Sequence, residues 1–467
     1  MTIARALALA VGADRVSGPE EDLTAYELGW RGDRGHAACV VRPRSTVEVS
    51  AAVATCVRAG VAFVAQSANT GVVGGSTPDD SGAQVVISLE RLTDPCRLDP
   101  DNRTVEVGAG VRLSALNARI EDAGFFFPID LGADPMIGGM VATNTGGARF
   151  LRYGDVRRNT LGLTVVLADA EGTILRLGSG LRKDNTEPDW KQLFVGTAGA
   201  FGVVTEAILN VEALPQQRAT AVVVPRDNDA ILELLRRLEA DVGPALSAFE
   251  LMSGNALRHA LAHAPAVRNP FSGDDIPATA LLIELALGRV GGPIDNLLEE
   301  TLATYWEATE RPISDAVLCP PAEIWPLRHA LSEGVRTAGE LFAFDLAFER
   351  PGLIAFRSRM VERLAAEWPE LELCDFGHVG DGGVHFNLVG HDRERCRAPG
   401  YAERLRDWVL EQAVEEFGAS FSAEHGIGRS NQAYYDRYTP AARKTLATRF
   451  AEALGLQPGA GSRFGDT

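Results

Sequence analysis

The sequence predicts an α+β chain with two main domains, on three observations. Short apolar runs of strand length alternate with stretches of helical spacing along the whole chain. Near Pro215 to Val222 the pattern changes from strands joined by glycine-rich loops to long helices between isolated strands. The composition, 46% hydrophobic and 23% charged over 467 residues, leaves room for large buried cores and for two or three domains.

The elements follow in order. "ARALALAV" near the N-terminus reads as an amphipathic first helix. A signal peptide fits less well, because Asp14 and Arg15 follow with no small-residue cleavage site. "STVE" at Ser45 is a capping box, and Val49, Val53, Cys56 and Val57 recur at helical spacing before Gly60 closes the helix. "VAFVA" and "VVISL" are strands flanking a glycine-rich loop, and "RTVEVGAG" is a third strand. "RLSALNARIEDAG" is a helix ended by Gly124. "LTVVLADAEGTILRL" is a hairpin turning at Glu171-Gly172, and "FGVVTEAILNVEALP" is a long strand. Beyond the boundary, four helices begin near Asp227, Pro293, Gly352 and Tyr401, and "TALLIELAL", "LFAFDLAF" and "GGVHFNLV" are strands. The Gly, Ser and Pro content after Leu456 predicts a flexible tail over 457–467.

A net charge of −18 repels nucleic acid and anionic lipid, which removes both as expected partners. The six cysteines show no CxxC pair, so reduced, mostly buried thiols are expected rather than a disulfide framework. No stretch approaches the ~18 apolar residues of a membrane span. A cytoplasmic protein is the expectation, with peripheral attachment to the inner face of a membrane as the alternative.

Three glycine clusters carry the first functional signal. "SANTGVVGGS" spans Ser67 to Ser76, with Gly71, Gly74 and Gly75 allowing a ligand to approach backbone amides. No Lys follows the glycines, so this is not a Walker loop, and it is not the Rossmann G-x-G-x-x-G either. "GADPMIGGMVATNTGG" covers Gly132 to Gly147, and "LFVGTAGAFGVVTEA" adds Gly196, Gly199 and Gly202. One such loop is about as well explained by a surface turn. Three in one region suggest a long, flat, polar ligand lying against backbone. The run Arg149, Arg152, Arg157 and Arg158 reads as a solvated loop, with Arg149 or Arg152 facing a bound anion as the sharper alternative.

The second signal is a histidine cluster. His385 and Asn387 share a face of one strand. His378 lies seven residues earlier, and the Gly380–Gly383 run allows a turn that brings the two histidines together. Glu424 and His425 sit in "AEHGIG". Two His and a carboxylate suit Zn²⁺ or a similar divalent ion, and a hydrogen-bonded core role is the bland alternative.

In "PRSTVEV", "ANTGVVGGSTP", "VVISLERL", "GADPMIGGMVATNTGG", "RYGDVRRNTLGL" and "LFVGTAGAFGVVTEA", the chain resembles the PCMH-type FAD-binding domain of the vanillyl-alcohol-oxidase superfamily. The resemblance implies two α/β subdomains holding FAD. Ser67, Ala68, Asn69, Thr70, Gly71, Gly74, Gly75 and Ser76 would cradle the pyrophosphate. Gly132, Ala133, Asp134, Ile137, Gly138, Gly139, Ala142, Thr143, Asn144, Gly146 and Gly147 would line the isoalloxazine and ribitol. Gly202, Val203 and Val204 would contact the adenosine side. Some members bind flavin covalently through a His near the first loop. Here the only nearby candidate is His36, well before it, so non-covalent FAD is expected.

In "FELM", "IWPLR", "GHVGDGGVHFNLV" and "AEHGIG", the second half resembles the cap domain of the D-2-hydroxyglutarate, D-lactate and glycolate dehydrogenase group. The resemblance implies an antiparallel sheet and an FAD- and metal-dependent oxidation of a D-2-hydroxy acid to a 2-keto acid. His378, His385 and Glu424 would hold the metal, with zinc the first choice. His425 would be the base, Arg328 would pair with the substrate carboxylate, and Asn387 and Ser332 would contact substrate. An electron acceptor such as a quinone or an electron-transfer flavoprotein is implied, and a homodimer is a further expectation. Three positions depart from the pattern. Ala343 stands where the group has Lys, Gly383 where it has Asn and Asn431 where it has Lys. They point to an altered substrate pocket and put a dicarboxylate substrate in doubt. The alternatives are an oxidase of another alcohol on the same fold, or a non-catalytic FAD-binding subunit. The expected domains are 1–35 helical, 36–215 FAD-binding and 216–456 cap.

Overall fold

The computed structural model describes residues 1–271, 275–288, 292–457 and 459–466. The chain divides into two units. Unit 1 holds 1–146, 154–214 and 424–467, and unit 2 holds 147–153 and 215–423. The long run of unit 2 starts at Pro215, and two segments depart from chain order. Residues 147–153 belong with unit 2, and the C-terminal segment from Glu424 returns to unit 1.

Unit 1 begins with α1 (Ile3–Val11), whose Leu7 and Val11 are buried against Val49 and Val53. The N-terminal segment is thus part of the unit's core. Next come β1 (Ala37–Val41), α2 (Thr46–Arg58), β2 (Phe63–Gln66) and β3 (Gln84–Ser88). The capping box forms as expected. Ser45 Oγ accepts from Glu48 N at 3.2 Å, and Glu48 reaches back to Arg44 N at 2.7 Å. β1, β3 and β2 are parallel, with the pair Val16–Ser17 added antiparallel to β1.

A second sheet contains β4 (Cys96–Asp99), β5 (Thr104–Gly108), β6 (Thr160–Leu167), β7 (Ile174–Gly178) and β8 (Gly202–Asn210). Its order is β4-β5-β8-β6-β7, antiparallel throughout. The β6–β7 hairpin turns with Gly172 at φ +62°, a conformation that favours glycine. α3 (Leu113–Ile120) and α4 (Ile137–Thr143) join this layer. Gly138 is obligatory in α4, because a Cβ there would lie 2.6 Å from the Ala109 methyl.

Unit 2 is built on one antiparallel eight-stranded sheet. Its elements are β9 (Gln217–Pro225), α5 (Asn228–Val242), β10 (Leu246–Ser253), α6 (Gly254–His263), β11 (Thr279–Leu287), α7 (Ile294–Glu307) and β12 (Ile313–Cys319). Then follow α8 (Pro321–Ala338), β13 (Glu340–Ala347), α9 (Arg350–Glu367), β14 (Leu371–Leu373), β15 (Phe376–Gly377), β16 (Gly383–Gly390) and α10 (Tyr401–Leu410). The order is β12-β9-β11-β10-β15-β16-β13, with β14 also on β16. Every residue of β10 is buried, so it lacks the polar–apolar alternation that marks a half-exposed strand.

The return segment adds α11 (Gly428–Tyr438) and α12 (Ala441–Ala453) to unit 1. The described residues of the segment predicted as a flexible tail are instead hydrogen-bonded into the unit. Gln457 N donates to Ala168 O at 2.7 Å, Ala460 N to Phe63 O at 2.9 Å and Arg463 N to Gln432 Oε1 at 2.9 Å. Glycine and serine serve close packing there. A Cβ on Gly461 would collide with Gly75 O.

Candidate active site

The three glycine clusters lie in unit 1 except for Gly147, which belongs to unit 2. Among the described residues, no backbone N–H from Ala68 to Ser76 has an internal partner. That row of unused amides is the feature an anionic ligand needs. Asn69 and Gly74 take left-handed φ of 55° and 69°, which turns successive amides inward. The loop is held by side chains instead. Asn69 Nδ2 donates to Leu28 O at 2.9 Å, and Ser76 Oγ donates to Asn69 Oδ1 at 2.9 Å. The return segment grips it as well. Arg429 Nη1 donates to Thr77 O at 2.5 Å and Pro78 O at 2.7 Å, and its Nη2 to Thr77 Oγ1 at 2.8 Å. Ser430 N donates to Val73 O at 3.1 Å. Sequence reading missed Arg429.

The second cluster meets the first at Gly139, whose absent Cβ would lie 3.2 Å from Ser67 Cβ. Gly132 has open space where a Cβ would be. Several predicted contact residues have side chains committed elsewhere. Asp134 accepts from Ser114 N and Oγ at the start of α3. Asn144 binds Asp155 and Arg157 N, at 2.8 Å each. Val203 and Val204 point into the cores. Such residues can offer a ligand only backbone. The cradle as a whole fits an elongated dinucleotide bearing a pyrophosphate.

Unit 2 brings the two histidines together as the glycine run predicts. His378 follows β15, His385 is on β16, and their ring centroids lie 5.2 Å apart. The turn is closed by Asp381, whose carboxylate accepts Gly383 N at 2.8 Å, and by Gly382 at φ +91°. Each ring is backed by a buried carboxylate. His378 Nδ1 lies 2.9 Å from Glu250 Oε1 and His385 Nδ1 lies 3.9 Å from Asp345 Oδ1. A carboxylate only accepts, so His378 donates from Nδ1, and in the neutral form of the ring Nε2 is the basic nitrogen.

Glu250 is the hub of this group. It is 1% exposed, and its Oε2 also accepts from Arg328 Nε at 2.7 Å and Nη2 at 2.6 Å. Burial would raise its pKa, but the charges of His378 and Arg328 outweigh that and hold the carboxyl down at about 2. Arg328, expected to pair with a substrate carboxylate, is thus already paired with Glu250 through Nε and Nη2. Its Nε–Nη2 edge is occupied by Glu250, and its guanidinium lies 5.2 Å over Phe376. Asn387 is buried beside His385, donating to His385 O at 3.3 Å. Ser332 is exposed on α8.

Asp345 pairs across the strands with His385, and Ala343 with Asn387, so these four share one face of β13–β16. Ala423, the last residue of unit 2, donates its N–H to Asp345 O at 3.1 Å. Glu424 is the next residue and opens the return segment, with its Oε1 at 3.9 Å from His425 Nε2. Asn431 caps the glycine turn after His425 by donating to Gly426 O at 3.0 Å.

Three arginines of the basic run bind acceptors, while Arg158 is exposed. Arg149 Nε donates to Glu284 Oε1 at 2.9 Å, and Trp325 Nε1 donates to Glu284 Oε2 at 2.7 Å. Arg157 Nη2 donates to Val195 O at 2.9 Å. Arg152 donates to the Ala286 carbonyl. These arginines satisfy buried acceptors.

Fold and cradle together suit a dinucleotide-binding protein, and comparison with known proteins makes this specific. Residues 37–178 match the FAD binding domain, and residues 214–454 match the C-terminal domain of FAD linked oxidases. The D-2-hydroxyglutarate dehydrogenase of Xanthomonas citri pv. viticola is 30% identical over 470 residues, covering 98% of this chain and 94% of the relative. The mitochondrial D-2-hydroxyglutarate dehydrogenase of Bos taurus is 32% identical over 428 residues, covering 89% and 74%. The solved 4-ethylphenol oxidase from Gulosibacter chungangensis shares the fold, with TM-score 0.73 at 16% identity, covering 97% and 94%. The chain belongs to the FAD linked oxidase family, and is an FAD-dependent oxidoreductase. Among the described residues no helix is long and apolar enough to cross a membrane.

Proposed function

We propose that this protein is an FAD- and divalent-metal-dependent dehydrogenase that oxidises a D-2-hydroxy acid to a 2-keto acid. The observation that carries the reading is the His378–His385 pair, with Glu250 hydrogen-bonded behind the first ring and Asp345 facing the second. Carboxylates behind imidazoles set the tautomer that suits a metal ligand. His378, His385 and Glu424 would hold the ion, with zinc suited to such N and O donors. When bound, the ion lowers the substrate hydroxyl pKa and the flavin accepts hydride.

The chain's own residues do the rest. His425 takes the hydroxyl proton. Arg328, its other edge fixed by Glu250, offers Nη1 to the substrate carboxylate. Asn387 contributes a buried amide beside His385, and Ser332 an exposed hydroxyl one turn from Arg328. Ala343 places a methyl opposite Asn387, so a substrate with one carboxylate fits this face better than a dicarboxylate. FAD is held non-covalently by unit 1. Electrons pass on to an acceptor such as a quinone or an electron-transfer flavoprotein, and the reaction belongs in the cytoplasm or at the inner face of a membrane.

Anaerobic mixing with paired D- and L-2-hydroxy acids tests the reading. A D-acid should bleach the flavin, and chelator treatment should abolish the bleaching until zinc is restored. No bleaching with any acid would sink it.

A further inference from the structure

A second group of metal-ligating side chains lies on unit 2, away from the histidine pair. His259 is in the last turns of α6, Glu372 is on β14, Cys374 follows that strand, and His391 follows β16. His259 Nε2 lies 2.8 Å from Glu372 Oε2, and His391 Nε2 lies 3.1 Å from the same oxygen. The ligand atoms of His259, Glu372 and Cys374 all lie within 4.8 Å of one another. His391 is six residues beyond His385 along β16, roughly 20 Å at about 3.3 Å per residue, so this group is separate from the proposed active site.

The geometry points to a structural zinc site formed by His259, Glu372, Cys374 and His391. Two imidazoles converge on one carboxylate oxygen, and a buried thiol lies beside it. Ligand atoms about 2.0–2.3 Å from a tetrahedral ion are roughly 3.3–3.7 Å from each other. The observed nitrogen–oxygen contacts need only a few tenths of an ångström of opening, while the group already within 4.8 Å is His259, Glu372 and Cys374, so the His391 ring must swing inward to complete the set. Charge also balances, since one carboxylate, one thiolate and two neutral imidazoles neutralise a divalent cation. Binding would release the thiol proton to solvent, and each neutral imidazole would keep its one proton on Nδ1 while Nε2 binds the ion. The frame is already rigid. Asn255 Nδ2 donates to Leu373 O at 2.9 Å, and Cys374 N donates to Asn387 O at 2.8 Å. The ion would tie α6, β14 and the end of β16 together.

The test counts zinc per flavin. The FAD-loaded protein is stripped with a chelator, re-equilibrated with zinc and freed of excess ion. Wild type should keep one more zinc than His259→Gln/His391→Gln, and equal retention overturns the proposal. His391→Gln alone changes an exposed ring that cannot unfold the chain, and should weaken zinc binding by tenfold or more. Unchanged binding there also overturns it. His385→Ala removes only the proposed active-site ion, so failure of that reading leaves the difference of one zinc intact. The zinc X-ray absorption spectrum should contain a sulfur shell at about 2.3 Å, because no proposed active-site ligand is sulfur. Its absence overturns the four-ligand assignment.

Discussion

Replacing Glu250 with Gln tests the tautomer argument at the heart of the proposed site. The change preserves volume and one carbonyl acceptor. Glu250 serves three N–H groups through two oxygens: Arg328 Nε and Nη2 on Oε2, and His378 Nδ1 on Oε1. A glutamine oxygen turned to Arg328 leaves its amide N–H facing His378. His378 must then accept at Nδ1, which moves its proton to Nε2 and removes the lone pair that would bind a metal. Second-shell changes of this kind cost ~10- to 100-fold in metal affinity. The guanidinium of Arg328 also loses its counter-charge at 7% exposure. Breaking a buried pair by removing one partner costs about 3–5 kcal/mol. Zinc affinity measured against a chromophoric chelator and urea unfolding should therefore both deteriorate in Glu250→Gln. A variant that binds active-site zinc as tightly as wild type would refute the reasoning, even if it were less stable.

The remaining predictions probe other parts of the molecule. Arg429→Ala removes three hydrogen bonds to Thr77 and Pro78, which directly follow the Ser67–Ser76 loop, and leaves that loop's amides in place. Loosening the loop by roughly 1–2 kcal/mol should raise the FAD dissociation constant about 5- to 30-fold, and unchanged flavin affinity in fluorescence titration would count against it. For Glu284, burial raises the pKa but the charge of Arg149 and hydrogen bonds from Arg149 and Ser247 lower it further, so the folded value lies below the usual one. Its contribution is fully present above an unfolded pKa of about 4.3 and is lost as pH falls through the depressed folded value. Glu284→Gln should thus be less stable at neutral pH and show a shallower loss on acidification; parallel acid profiles would exclude Glu284 as a source of acid sensitivity. Ala343→Lys restores a cation opposite Asn387. It should improve kcat/KM for a D-2-hydroxy dicarboxylate relative to D-lactate by roughly 10-fold or more, the worth of one charge-assisted hydrogen bond. No change in that ratio would show that the position does not select substrate.

Much of this was legible in the sequence because its signals are local. The capping box at Ser45, the hairpin at Gly172 and the turn joining His378 to His385 each depend on residues close together in the chain. What was missed depends on pairing across long separations. Glu250 is 128 residues from His378 and 78 from Arg328, and it sits on a strand buried on both faces. Nothing in periodicity separates such a strand from a buried helix segment. Arg429 escaped notice because its partners, Thr77 and Pro78, lie some 350 residues away. Composition also misleads where packing decides. The tail after Leu456 is rich in Gly and Ser because Gly461 must pass against Gly75. The basic run looked solvated because its acceptors, Glu284 and the carbonyls of Val195 and Ala286, are remote in sequence.

The departures from the family pattern divide by unit, and this bears on function. Asn431 in unit 1 keeps a structural task, since its amide closes the glycine turn after His425. Gly383 in unit 2 likewise keeps the turn, because its N–H is the group Asp381 caps. Ala343 has no such compensation. Its methyl shares a face with Asp345, His385 and Asn387, while Arg406 lies 5.4 Å over Phe344, whose side chain points to the other face of β13. Two of the three departures thus preserve local geometry, and only Ala343 removes a charge from the face that carries His385. Of the three departures, Ala343 is therefore the one that bears on the proposed substrate face.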